Sequence, residues 1–199
     1  WEFYLIGSLI LQNPAGPTLP QLFNHDAPLR WAMSGKADVN LLLNQAAECI
    51  RKADFKEALS YCSRAIAAAP EDPNTYVCRA VAKMGLRRHE DAVKDLTAAL
   101  KLAPKEAIIY AMRAIAYRCQ GKLQRALEDC DTAVELDSSN AELYLQRGTV
   151  LYMLNRFPDA ESDFRQAIKL SPEGSAVHME ALTWLRELNR LPRSANTSR

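Results

Sequence analysis

Glycine is scarce, seven residues in 199, and neither sign of charge dominates: 25 Lys and Arg stand against 24 Asp and Glu. A net charge of +1 builds no field to draw nucleic acid or an anionic membrane. The basic side chains are also spread along the chain, without the stripe that a nucleic-acid surface needs. The apolar stretch 3–11 spans nine residues, too few to cross a bilayer as a helix. Glu2 ahead of it is not the basic start of a signal peptide. The five cysteines (Cys49, Cys62, Cys78, Cys119, Cys130) form no CxxC pair, and the three histidines stand far from any zinc-ligand spacing. The expectation is no metal, no cofactor and five buried free thiols, hence a reducing, cytoplasmic setting. There is no GxSxG, P-loop, HExxH or Ser/His/Asp arrangement, so the chain is not read as an enzyme.

What the sequence does have is ordinary globular composition, 48% hydrophobic and 25% charged, with abundant alanine that favours helix. It also has an internal period. Pro70 and Pro104 lie 34 residues apart, and Pro172 lies twice 34 further on, with Ser138 at the skipped place. Setting position 1 at Val39, Pro73, Ala107 and Ala141 aligns four repeats (39–72, 73–106, 107–140, 141–174) without a gap. Position 8 then reads Ala46, Ala80, Ala114, Gly148. Position 20 reads Ala58, Ala92, Ala126, Ala160, and position 27 reads Ala65, Ala99, Ala133, Ala167. Small side chains at fixed points let helix backbones approach closely. Large ones fill between them, as Leu42, Tyr76, Tyr110 and Tyr144 do at position 4.

This pattern resembles the tetratricopeptide repeat (TPR), over residues 39–174. The resemblance implies an all-α solenoid of helical hairpins, wound as a right-handed superhelix. Predicted helices cover 39–51, 54–68, 73–85, 89–102, 107–119, 123–136, 141–153 and 157–170. A ninth, 175–190, carries Val177, Ala181, Leu182, Leu185 and Leu188 on one face and resembles a capping helix. Asp72–Pro73 and Ser139–Asn140 read as helix starts, and Gly121 as an inner-turn break. Residues 1–35 form an apolar, proline-containing arm outside the repeats, expected to pack on the first repeat or in the groove. Residues 191–199 form a flexible tail.

Two departures from the family pattern carry information. Position 7, usually Leu in the family, is Arg79, Arg113 and Arg147 in repeats two to four, and position 23 is Asp95, Asp129 and Asp163 in the same repeats. Repeat one has Gln45 and Tyr61 instead. Positions that switch together predict an Arg–Asp pair, within each repeat or between neighbours. Lys83, at position 11, stands where an apolar residue is expected.

The resemblance also implies that the first helix of each repeat lines a concave face. The candidate partner-binding residues there are Leu43, Asn44, Val77, Val81, Met84, Ile108, Met112, Ile115, Arg118, Leu145, Gln146 and Tyr152. The middle of this set is apolar, which a solvent-facing surface is not unless something covers it. The expected ligand is an apolar peptide or amphipathic helix, and the expected role is that of a protein-interaction adaptor or scaffold. The alternative is an assembly subunit that self-associates through the arm or groove. Some family members clamp the C-terminal carboxylate of heat-shock chaperones with Lys, Arg and Asn at set positions. Here those positions read Leu43, Ala47, Cys78, Ile108 and Met112, or one repeat later Val77, Val81, Met112, Glu142 and Gln146. Neither set contains a cation, so that clamp is not expected.

Overall fold

The computed structural model describes residues 36–190, and within them every regular element is an α-helix. In chain order they are α1 (Lys36–Arg51), α2 (Phe55–Ala68), α3 (Pro73–Gly85), α4 (His89–Leu102), α5 (Ala107–Cys119), α6 (Leu123–Leu136), α7 (Ala141–Met153), α8 (Phe157–Leu170) and α9 (Ala176–Arg190). The predicted boundaries hold to within three residues, the largest gap being at α1, which begins at Lys36. The expected arm, 1–35, and tail, 191–199, lie outside the described residues. No described helix is long and apolar enough to cross a membrane.

The helix starts are chemical. Asp72 accepts a hydrogen bond from Asn74 N at 2.9 Å, with Pro73 in the first turn. Asn140 does the same for Glu142 N at 3.0 Å. Asp54 caps α2 through Glu57 N at 3.1 Å, which is why the helix begins at Phe55. Each side chain satisfies an amide that the helix itself leaves without a partner.

The chain divides into two compact units between Pro104 and Lys105. In the first, α1 packs on α2, α3 on α4, and α2 on α3. The alanines at positions 8, 20 and 27 of repeats one and two are all fully buried, so the helices touch almost backbone to backbone. The second unit repeats the scheme with α5 on α6, α6 on α7 and α7 on α8. Here Gly148 takes the place of alanine at position 8, because a Cβ would meet the Phe164 ring at 2.7 Å. Helix α9 packs on α8 and α7 through Ala181 and Leu188. Its Trp184 stacks on Phe164 with ring centroids 5.8 Å apart.

The predicted Arg–Asp pairs form inside each of the three repeats. Arg79 reaches Asp95 through Nε and Nη2 at 2.9 and 2.8 Å, Arg113 reaches Asp129 at 2.8 and 2.7 Å, and Arg147 reaches Asp163 at 2.7 and 2.8 Å. Every one of these forks is bidentate onto a buried carboxylate. The tyrosine at position 4 completes the unit: Tyr76, Tyr110 and Tyr144 lie with ring centroids 5.9, 5.6 and 5.6 Å from the guanidinium of Arg79, Arg113 and Arg147. Lys83 is explained as well, since its Nζ lies 2.7 Å from Asp95.

The cysteine reading needs correction. Cys62 and Cys78 are joined by a disulfide, with Cα atoms 6.0 Å apart, and Cys49 and Cys119 are only half-buried. Spacing alone did not show this, because the two sulfurs come from different repeats: position 24 of the first and position 6 of the second.

Candidate functional site

The first helix of each repeat sets the candidate face. In the first unit, Asn44 is exposed and Leu43 half-buried, whereas Val77 and Val81 are 0% exposed and Met84 3%. In the second unit, Met112, Ile115, Leu145 and Gln146 are buried. Ile108, Arg118 and Tyr152 are half-buried. The apolar members of the predicted set are therefore not a bare surface. They are largely out of water.

Several have identified neighbours. Ile108 packs against the buried cluster of Ala107, Ala111, Ala133, Val134 and Leu143. Leu145 belongs to the cluster that holds Phe164, Ala181 and Leu188. Tyr152 makes ring contacts with Phe157 and Trp184 at 5.5 and 5.0 Å, so its inner edge belongs to the packing of α9. These are core contacts, and they leave a smaller set for recognition than the helical wheel predicts.

A polar group lies among them. Gln146 donates from Nε2 to Glu142 Oε1 at 2.8 Å. Burial pushes the Glu142 carboxyl above its ordinary range, with the nearby Glu180 adding to the effect. Burial also raises Glu180, against the opposing pull of its Trp184 hydrogen bond and of Arg118. Arg118 Nε is buried without a hydrogen-bond acceptor. Sequence reasoning placed Arg118 and Gln146 on this face but missed Glu180, which comes from α9 and carries no repeat signature.

Elsewhere, a polar cleft of about 440 Å³ opens on the α1–α2 hairpin, lined by Gln45, Glu48, Cys49, Lys52, Asp54, Glu57 and Tyr61. It includes positions 7 and 23 of repeat one, where the other repeats carry their Arg–Asp pair. The Tyr61 hydroxyl bonds Glu57, and Lys52 pairs with Glu48, which leaves the lining acidic through Asp54 and Glu57. No group of three or more His, Cys, Asp or Glu suited to a metal ion occurs among the described residues.

Stacked helical hairpins with small residues at every close approach define a helical-repeat protein. Residues 79–141 and 141–173 match tetratricopeptide-repeat family profiles. The TPR domain of Arabidopsis OM64 is 32% identical over 59% of this chain and 96% of that one, with a TM-score of 0.54. The chain therefore belongs to the tetratricopeptide-repeat family, whose domains mediate protein–protein interaction. MamA from Desulfovibrio magneticus RS-1 is 19% identical and covers 76% of this chain and 82% of its own, with a TM-score of 0.61. The second TPR domain of human RPAP3, in complex with an HSP70 peptide, is 22% identical over 59% and 98%, with a TM-score of 0.55. No curated protein matches the chain.

Proposed function

We propose that this chain is a non-catalytic adaptor whose concave face receives an apolar peptide or an amphipathic helix of a partner protein. The observation that supports this reading most is the side-chain chemistry at the family's ligand positions. Leu43, Val77, Val81 and Met84 in one unit and Ile108, Met112 and Ile115 in the other are apolar. The second TPR domain of human RPAP3 is bound to an HSP70 peptide ending in Glu-Glu-Val-Asp. The corresponding positions here offer such an anionic end no cation, so its ligand chemistry is not carried over. Val77 and Val81 are buried, so a partner reaches them only where the first unit opens. A cytoplasmic setting fits the free thiols of Cys49 and Cys130, whereas the Cys62–Cys78 bond fits an oxidising one.

Fluorescence anisotropy with two labelled probes tests the reading. One is a designed amphipathic helix with leucines at i, i+3, i+4 and i+7, and the other an acidic peptide ending in Glu-Glu-Val-Asp. The full chain binds the amphipathic helix and ignores the acidic one. Leu43→Asp and Ile108→Asp, both at half-buried sites, weaken binding of the helix about tenfold or more, or roughly 1.4 kcal/mol. Circular dichroism verifies that each variant stays folded. Preference for the acidic peptide would overturn the proposal, and so would indifference to both substitutions. Growth of particle mass with concentration in light scattering would favour self-assembly instead.

A further inference from the structure

We propose that Cys62 and Cys78 form a reversible clip that fixes repeat two against repeat one and so makes the concave wall of the first unit respond to the surrounding thiol–disulfide balance. The proposal rests on the adaptor reading for its consequence, but the clip itself can be tested without any partner.

The geometry is specific to one junction. Cys62 lies on α2 and Cys78 on α3, 16 residues apart with Cα atoms at 6.0 Å, well inside the span of a disulfide. The bond closes a loop over the inter-repeat turn that holds Asp72 and Pro73. Cys78 is flanked along α3 by Val77 and Val81, two of the candidate ligand positions. Fixing Cys78 therefore fixes the strip of helix that carries them.

The sequence contains its own control. Positions 24 and 6 of the next junction in the second unit read Cys130 and Gln146. Cys130 has the same register as Cys62 but no thiol opposite it. Burial pushes its pKa up to about 12, which keeps it protonated and inert. A buried cysteine at position 24 is thus compatible with the fold, and the chemistry enters only where position 6 supplies the second sulfur.

The first repeat is also the one that most depends on such a bond. It lacks the Arg–Asp fork, having Gln45 and Tyr61 in its place. Opening the clip leaves α1 and α2 joined to α3 by apolar packing and a short turn. The reduced chain is then the form in which repeat one yields and the covered residues Val77 and Val81 become reachable. The oxidised chain is the closed form.

The redox step needs a small-molecule disulfide such as glutathione disulfide. One protein thiolate attacks a sulfur of that disulfide, breaks its S–S bond and releases one thiolate, leaving a mixed disulfide on the protein. The second cysteine, deprotonated, attacks the protein sulfur of that mixed bond and expels the other thiolate. Two protein thiols are oxidised, one disulfide is reduced to two small thiols, and the two protons end on them. Because Cys62 and Cys78 are both buried, exchange proceeds from a locally opened repeat and is slow.

The test uses the full chain equilibrated with excess glutathione disulfide or with excess dithiothreitol. Rapid alkylation and peptide mapping follow, and then hydrogen exchange on both samples. In the oxidised sample the Cys62 and Cys78 peptides are unmodified and linked to each other, and both become alkylated after reduction. Reduction speeds exchange of amides in 36–85 about tenfold or more, while amides in 141–170 keep their rates. Cys62→Ser and Cys78→Ser each reproduce the reduced pattern under both conditions. Cys130→Ser leaves the oxidised–reduced difference intact. Full alkylation of Cys62 and Cys78 in the oxidised sample would overturn the proposal. Linked peptides with identical exchange in both samples would overturn it too, since the clip would then regulate nothing. Neither readout involves a ligand, so a failure here is distinct from a failure of the adaptor reading.

Discussion

Repeat one reads Leu42, Gln45 and Tyr61 at the places where repeats three and four read Tyr, Arg and Asp. The same contrast recurs at the inner turns. Position 15 has positive φ in all four repeats: Ala53 at 58°, Arg87 at 59°, Gly121 at 73° and Asn155 at 59°. The second unit fills that left-handed place with glycine and asparagine, which adopt it readily. The first unit fills it with alanine and arginine, which do not. The second unit has two Arg–Asp forks and the added helix α9. The first has one fork and a disulfide. One register is thus held by non-covalent contacts alone in one unit and by a fork together with a covalent bond in the other. The unit that carries the covalent bond is the one whose stability can be switched.

The largest effect expected from the charge network comes from Asp95. Its side chain is 6% exposed and its carboxylate pairs with both Arg79 and Lys83. Asp95→Ala leaves two partly buried cations facing an apolar side chain, at a cost of about 3 kcal/mol. Asp163→Ala is milder, about 2 kcal/mol, because Arg147 keeps a second partner in Asp131 at 3.2 Å. Chemical denaturation of the two variants, followed separately in each unit by hydrogen exchange, measures the difference. Equal losses would mean that Lys83 adds nothing, and that the two networks are equivalent in spite of their composition.

The period made most of this legible. Identical spacing put Ala, Gly and the large residues in register, and helix boundaries followed from Asp72, Pro73 and Asn140. The Arg–Asp pairs were readable because positions 7 and 23 change together within one chain. Tyr at position 4 changes with them, but a ring over a guanidinium has no sequence signal beyond that coincidence. The Cys62–Cys78 bond was hidden because it crosses between repeats, so alignment within a repeat never places the two cysteines side by side. The candidate face was legible as a set of positions. Its burial was not, since a helical wheel says which way a side chain points and nothing about what lies beyond it.

Glu142 and Glu180 give the second unit a pH dependence opposite in sign to that of Asp91 in the first, whose carboxyl is lowered by its Arg88 and Lys94 hydrogen bonds. Burial raises both carboxyl pKa values in the folded chain. Between the unfolded and the raised folded values the folded state binds more protons, so stability falls as pH rises through that window. Above that window the cost of ionising the two groups is fully present, and below the ordinary carboxylate range it vanishes. Glu142→Gln keeps a hydrogen-bond partner for Gln146 and removes that cost. It stabilises the second unit at pH 7, by less than Asp95→Ala removes, and changes little near pH 4. A gain of the same size at both pH values would show that ionisation is not the cause.

The smallest effect separates the two units most cleanly, because it concerns the backbone alone. All four inner turns close with the same pair of bonds; in repeat one Ala53 N donates to Ile50 O at 3.0 Å and Asp54 N to Cys49 O at 2.8 Å. In repeat three Gly121 N donates to Arg118 O and Lys122 N to Tyr117 O, both at 2.9 Å. The geometry is equal, so the residue at position 15 sets the local cost. Ala53 is exposed, and Ala53→Gly removes a steric penalty without removing a packing contact. Glycine's greater freedom in the unfolded chain offsets part of the gain, leaving about 0.5–1 kcal/mol of added stability. Gly121→Ala at the equivalent turn loses a similar amount. Opposite signs at the two sites, read from thermal midpoints of the paired variants, would show that the first unit retains strain that the second has shed. A loss at both would mean that Ala53 is held by something other than its turn, and the contrast between the units would narrow to the Arg–Asp forks and the disulfide.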